Sequence, residues 1–395
     1  MRYMKCPDNY ITRLGICFYG REKELEILEK IFSGEYDPSL LIVYGPRRVG
    51  KSELLRYFTT TRSKKFRKVY SIYFDVKDRV GKILLGSIGV SVYGSSKTSA
   101  DKILNLIKSL PEASLSTLGS IAQALLEIAD VGRDIARSLK ISRYSKIFII
   151  ADEFHELSGY SGSSVADRLK DLRTIASSIS GTFNSEIPWS RIRAIVTVSE
   201  GYVFARDEEN KYLWQRLMGY RADYLFVGEM DPKSFSDVLK NYCSLKKYDE
   251  DKCRELEELV ISIAGRLPGW ISDIDYYIKN NMLVDKVREN IKEFQDMMRE
   301  TALRHGLDLK TLAKKLYEAF TSGKDFSDLG IEPSLLDDLI KMNIVYRFPE
   351  KIYGLIGRAL KPQIRLYETA IKLFAEGRSI DISNKEDLIK ILREN

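Results

Sequence analysis

Gly45 to Ser52 reads GPRRVGKS and follows the apolar run LLIVY, Leu40 to Tyr44. The pattern GxxxxGK[ST] between a strand and a helix is a phosphate-binding loop, and this context supplies what the motif needs. Gly45 and Gly50 let the backbone turn tightly, so that successive N–H groups point inward at an anion. Pro46, Arg47, Arg48 and Val49 fill the variable positions, Lys51 adds a point charge, and Glu53 opens the following helix. The hydroxyl of Ser52 is placed to meet a magnesium ion, and the positive end of its helix faces the same phosphates.

The second landmark is KIFIIADEFHEL, Lys146 to Leu157. Ile147 to Ile150 predict a buried parallel strand with Asp152 and Glu153 at its carboxyl end, where such sheets bind ligands. Asp152 is the expected magnesium residue, acting through water, and Glu153 the expected general base that polarises an attacking water. Neither acid alone would carry this reading. Together with a phosphate loop about 100 residues earlier, they predict nucleotide hydrolysis.

Length and composition set the frame. With 395 residues the chain is long enough for two or three structural units. It is 44% hydrophobic and 30% charged, as expected of a globular protein. The formal charge of +7 comes from 63 basic and 56 acidic residues, mostly interleaved, so contact with nucleic acid is permitted but not required. A basic cluster at Lys64, Lys65, Arg67 and Lys68 reads as a solvated strand entrance, with phosphate contact the minority alternative. Four cysteines, Cys6, Cys17, Cys243 and Cys253, form no CxxC pair and predict neither zinc nor a disulfide framework. That reading favours a reducing, cytoplasmic setting, and no apolar stretch predicts a membrane span or a signal peptide. Abundant Lys, Glu, Ile and Tyr with 10 prolines fit a heat-adapted source.

The pair FYGRE (Phe18 to Glu22) and YGPRRVGKSELL, with DEFHEL downstream, resembles the archaeal ATPase branch of the STAND class, within the AAA+ superfamily and related to origin-recognition ATPases. The resemblance implies an α/β fold: a P-loop (ASCE/AAA+) parallel sheet core with a helical lid and a C-terminal winged-helix domain. In that sheet the sensor strand lies between the phosphate-loop and DEF strands. It implies ATP/ADP and Mg2+ as ligands, with Phe18, Gly20 and Arg21 on the base side. At the tip of the strand IRAIVTVS (Ile192 to Ser199), where Thr197 and Ser199 both carry hydroxyls, it assigns the γ-phosphate sensor, for which Ser199 is chosen. It assigns the proline of GRLPGW, Pro268, to a lid contact with nucleotide, although the family spacing is one residue shorter. Where the family has GRA this chain has GYRA, so Arg216 and Arg221 are both candidates for an arginine that acts on phosphates in cis or across subunits.

The expected organisation is an ATPase core over residues 1–230, a helical lid over 231–283, a linking helix over 284–305, a winged helix over 306–361 and closing helices over 362–395. Gly81 to Ser99 reads as a Gly/Ser-rich loop, and Ala100 to Leu110, Leu115 to Leu139 and Ser164 to Ser180 as helices. In the winged helix, Ile344 to Phe348 and Ile352 to Ile356 are the expected strands of the wing, and Arg347, Lys351 and Arg358 its basic side chains. The would-be recognition helix carries Asp337 and Asp338 against Lys341, which disfavours a major-groove reader.

The leading expectation is therefore a slowly hydrolysing ATPase switch with a winged-helix output that meets DNA or a protein partner, able to assemble on ATP binding. The alternative is a DNA-binding ATPase of the initiator or transposition-accessory kind. A nucleotide-locked structural module without turnover is the third reading.

Overall fold

The computed structural model describes residues 6, 8–66, 69–75, 89–94, 146–152, 192–198, 221–322, 326–349, 353–354, 359–380 and 382–394. Its elements follow in chain order. Helix α1 (Glu22–Ser33) precedes β1 (Leu40–Tyr44) and α2 (Lys51–Tyr57), which runs on as a π turn over Phe58–Arg62. Four strands come next: β2 (Val69–Asp75), β3 (Gly89–Gly94), β4 (Lys146–Asp152) and β5 (Ile192–Thr197). After β6 (Ala222–Phe226) the chain is helical through α3 (Pro232–Lys246), α4 (Glu250–Ala264), α5 (Ile271–Lys279) and α6 (Leu283–Arg304). The last part holds α7 (Leu309–Ser322), α8 (Pro333–Lys341), β7 (Val345–Phe348), β8 (Ala359–Pro362), α9 (Arg365–Glu376) and α10 (Lys385–Glu394).

Among the described residues the main sheet has the order β3-β2-β4-β5-β1-β6. Five of its strands are parallel, and β3 runs antiparallel along β2. The strand of the expected sensor, β5, thus lies between the phosphate-loop strand β1 and the DEF strand β4. The β3 strand corrects the expected loop over Gly81 to Ser99: GVSVYG alternates valine with small residues and pairs from Tyr70↔Gly94 to Asp75↔Gly89. Glycine and serine masked that alternation in the sequence.

Strand periodicity distributes the core. Leu40, Ile42 and Tyr44 belong to one hydrophobic cluster, shared with Phe294, Leu312, Leu336 and Tyr346. Leu41 and Val43 belong to the other, with Leu28 and Phe32 of α1, Leu54 of α2 and Leu259 of α4. Both faces of β1 are buried, which is why LLIVY is an unbroken apolar run. Helix α3 starts where Asp231 accepts the Ser234 N–H at 2.9 Å with Pro232 at the first position, and α4 where Asp249 accepts from Lys252 at 2.8 Å.

Two further expectations are corrected. All four cysteines are paired, Cys6–Cys17 and Cys243–Cys253. Their separations of 11 and 10 residues span chain reversals: an antiparallel bridge at Ile11↔Cys17, and the turn from α3 into α4. Paired cysteines give no reason to place the chain in a reducing compartment. The partner of β7 is β8, later than expected, and Arg347 is buried, so it cannot present its charge to a phosphate backbone. Ile352, Ile356, Lys351, Arg358, Arg67, Lys68 and the three helical stretches between residues 100 and 180 lie outside the described residues. Lys65 is paired with Glu29 at 2.6 Å. No described helix is long and apolar enough to cross a membrane.

The short loops closed by the disulfides define a stability test. Cys243→Ser/Cys253→Ser protein should lose about 2–3 kcal/mol of unfolding free energy relative to the oxidised parent. Denaturant melts with and without reductant measure this; a parent indifferent to reductant would contradict the pairing.

Candidate functional site

Strand β1 delivers the chain into the loop beneath the first residue after β6. Gly45 has φ +144°, and a Cβ there would lie 2.1 Å from the Val227 carbonyl oxygen. No side chain fits, so the first glycine of the motif is fixed by the neighbouring backbone as well as by the turn. Gly50, also at positive φ, caps α2, and Leu54 N–H donates to its carbonyl at 2.9 Å. Val49 is fully buried and Arg47 exposed. Lys51 Nζ lies over the loop and donates to the carbonyls of Gly45 at 2.9 Å and Pro46 at 3.0 Å. An ammonium at this position is within reach of an anion entering the loop, and a charged acceptor bonds it more strongly than a carbonyl does.

Asp152, at the end of β4, brings the two landmarks together. Its carboxylate is fully buried. Oδ1 accepts the Ser52 hydroxyl at 2.9 Å and the Thr197 hydroxyl at 2.8 Å, and Oδ2 accepts the Tyr73 hydroxyl at 2.7 Å. Tyr73 also accepts from Arg56 Nε at 3.3 Å, and burial together with the Asp152 charge pushes its phenol well above the usual range. Tyr73 thus stays a donor at any physiological pH. No cluster of three or more His, Cys, Asp or Glu suits a metal among the described residues. One hydroxyl beside one carboxylate is instead the sparse protein set that suits Mg2+, which keeps several waters and takes its other ligands from phosphate.

The FYGRE turn packs beside and beneath the loop. Arg21 is buried at positive φ, and its guanidinium points at the back of the loop rather than towards an open site. It donates to the Val49 carbonyl at 2.8 Å, the Gly228 carbonyl at 2.7 Å and Glu24 at 3.0 Å. Phe18 stacks on Tyr57 of α2 with ring centroids 4.1 Å apart. Gly20 abuts Ser234 of α3. The Glu53 side chain accepts from Tyr10 Oη at 2.9 Å, so it is turned to the N-terminal segment.

GRLPGW closes over the loop from the other side. The Pro268 ring lies 3.9 Å from where a Gly50 Cβ would be, and Gly269 N–H donates to the Arg48 carbonyl at 3.0 Å. A Cβ on Gly269 would come within 2.8 Å of Arg48, so only glycine permits this approach. Arg48 stacks over Trp270 at 4.2 Å and pairs with Asp273 in the first turn of α5.

The structure therefore gathers the loop, Ser52, Asp152, Arg21 and Pro268 about one point, with Phe18 and Gly20 nearby. Glu153, Ser199 and Arg216 lie outside the described residues. Arg221 is at the wrong end of the sheet: it precedes Ala222, the partner of Leu40, whereas the loop follows Tyr44. About 13 Å of strand separates the two ends, and Arg221 also donates to the Asp37 carbonyl at 2.8 Å. Its place at that end of the sheet sets its backbone away from the loop. Tyr73, Glu24 and Asp273 join the site although the sequence does not single them out, and Thr197 enters it as a donor to Asp152. The spacing GREKE, acid three residues after Arg21, could have marked Glu24; nothing in the sequence marks Tyr73.

A family model described as an ATPase domain predominantly from Archaea matches residues 18–272, more than half of the chain. No curated protein matches the sequence. Among solved structures, the Walker-type ATPase paby2304 of Pyrococcus abyssi aligns at 20% identity with a TM-score of 0.49, covering 90% of this chain and 96% of its own. The Aeropyrum pernix ORC2 protein in ADPNP–ADP complexes aligns at 15% and 0.42, covering 94% and 97%. AMPPCP-bound DnaA from Aquifex aeolicus aligns at 11% and 0.35, covering 85% and 88%.

Arg21 gives a test of the loop's support. Arg21→Ala leaves the carbonyls of Val49 and Gly228 and the Glu24 carboxylate short of a donor, at an expected cost of about 3–5 kcal/mol. Arg21→Lys, with one point charge in place of a fork, should recover only part of this. A thermal or denaturant melt of Arg21→Ala within about 1 kcal/mol of the parent would contradict a supporting role for these Arg21 bonds.

Proposed function

Since the chain belongs to the family of ATPase domains found predominantly in Archaea, we propose that it is a slowly hydrolysing AAA+ ATPase of STAND type, whose adenine nucleotide sets the position of a helical lid. The observation that carries this reading is the 2.9 Å contact between Ser52 and Asp152, residues 100 apart in sequence and joined only at the tips of β1 and β4. A phosphate loop without a buried acid beside its serine would suit simple anion binding; the acid adds a hydrolytic site.

The residues divide the work as follows. The loop N–H groups and Lys51 bind the β and γ phosphates of ATP, with Lys51 exchanging its carbonyl acceptors for phosphate oxygens. Ser52 and Asp152 would hold Mg2+, which when bound neutralises phosphate charge. Thr197 and Tyr73 keep the Asp152 carboxylate oriented by donating to it. Glu153, next in sequence to Asp152, is proposed as the base that takes a proton from the attacking water, and Ser199 as a further hydroxyl at the γ-phosphate. Phe18 offers a ring face to adenine, and Pro268 packs above the loop.

In this reading α3 to α5 form the lid, and the segment from α7 to β8 a winged helix. Exchange of ATP for ADP changes contacts between loop and lid, so that it shifts the populations of open and closed forms. The DNA-binding alternative draws less support, because Arg347 is buried and α8 turns Leu335, Leu336, Leu339 and Ile340 into the core beside the acidic Asp337 and Asp338.

Purified protein should release phosphate from ATP in a magnesium-dependent reaction. Glu153→Gln should retain ATP binding and lose turnover by at least about 100-fold. Lys51→Ala should weaken nucleotide binding by about 10- to 100-fold, read by equilibrium titration. Parental turnover in Glu153→Gln would remove that residue from the chemistry. Tight binding of duplex DNA with a steep loss on raising salt would favour the alternative.

A further inference from the structure

The loop residue Arg48 joins the phosphate site to the helical segment through three separate contacts. Its carbonyl takes the Gly269 N–H at 3.0 Å, its guanidinium lies 4.2 Å from the Trp270 ring centre, and its charge meets Asp273. Arg48 also has φ +65°, a left-handed conformation that a non-glycine residue seldom adopts. Strain of that kind persists where surrounding contacts over-determine it, and here they do. The next residue, Val49, is gripped through its carbonyl by Arg21 from the core side. Residues 48 and 49 therefore form a hinge between a fixed anchor and a helix that begins at Ile271.

We propose that Arg48 is the positioning residue that transmits the phosphate state of the loop to helix α5. An anion that draws the loop N–H groups and Lys51 inward turns the peptide after Arg48. Because Gly269 is bonded to that carbonyl and cannot carry a side chain without collision, the GRLPGW turn must follow the peptide or break the hydrogen bond. The guanidinium, sandwiched between Trp270 and Asp273, carries the same displacement to the first turn of α5. Transmission thus runs through the protein, and it does not require Pro268 to sense the nucleotide by direct contact. A partly exposed cation stacked on an indole and paired with a carboxylate is worth about 1–2 kcal/mol. That is enough to shift a two-state population by about 5- to 30-fold.

The inference rests on the reading of α3 to α5 as a lid, and one experiment separates the two. Trp189→Phe/Trp214→Phe protein leaves Trp270 as its single tryptophan, reporting directly on the stacked guanidinium. Emission is recorded at saturating ADP and at saturating non-hydrolysable ATP analogue, with affinities measured by equilibrium dialysis. The parent background should show different emission in the two states. Asp273→Asn, which lies outside the phosphate site, should bind both nucleotides within about threefold of the background and lose most of the difference. Arg48→Lys should keep the ion pair but lose the planar stacking, giving an intermediate response. An Asp273→Asn protein and an Arg48→Ala protein that both keep the full difference at saturation would overturn the proposal while leaving the lid intact. A background protein that binds both nucleotides with identical emission, and with identical protease sensitivity in α3 to α5, would overturn the lid reading and the proposal with it.

Discussion

A fully buried carboxylate at the end of a central strand is the constraint on which the rest of this site depends. An isolated ionised acid in such a place is very costly, so its partners must be in position before any ligand arrives. Asp152 takes hydroxyl donors from α2, β2 and β5. This is possible only because β2 and β5 flank β4 in register, with Ile149 opposite Ile72 on one side and Ala194 on the other. A shift of either neighbour by one residue would turn Tyr73 or Thr197 to the opposite face and leave the carboxylate underbonded. The order of the sheet and the chemistry of the loop are thus one requirement.

The loop itself is stiff where its motif looks permissive. Gly45 is pressed against the Val227 backbone, Val49 is tied to Arg21, and Arg48 is tied to Gly269. Lys51 lies over the loop and donates to the Gly45 and Pro46 carbonyls. Contacts from two sides hold the loop before any anion arrives, which lowers the ordering cost of binding one.

What could be read from the sequence was what local chemistry specifies. GPRRVGKS and KIFIIADE each combine a strand, its end and a charged or small residue, and their spacing fixed which strand ends had to meet. That β5 separates β4 from β1 followed from the resemblance, because periodicity alone does not order strands; that β2 flanks β4 on its other side did not. Contacts made across the fold were not legible. Tyr73 lies in an apolar strand like any core tyrosine, and only its register against Asp152 gives it a role. Cys243 and Cys253 become partners because α3 and α4 fold back on each other, which no spacing rule for zinc or redox motifs encodes. Arg21 was assigned to the base because of the turn it sits in, whereas the left-handed backbone there aims it beneath the loop.

The C-terminal elements reach the same loop by another route. Strand β6 is at the edge of the main sheet, and an uncovered edge is prone to pair with other chains. Here Tyr353 forms an antiparallel bridge with Leu225, Gly354 N–H donates to the Tyr224 carbonyl at 3.0 Å, and Tyr353 Oη donates to Asp223 at 2.7 Å. The Tyr353 ring also stacks on Tyr36, with centroids 5.0 Å apart, while Phe226 packs against Tyr346 and Phe348. Strand β6 continues directly into Val227, which meets Gly45, and Gly228, whose carbonyl is held by Arg21. Contacts are therefore unbroken from the capped sheet edge to the floor of the loop. Removing the cap would expose a row of backbone donors and acceptors beside β1, so the C-terminal elements stabilise the strand that positions the loop as well as covering it.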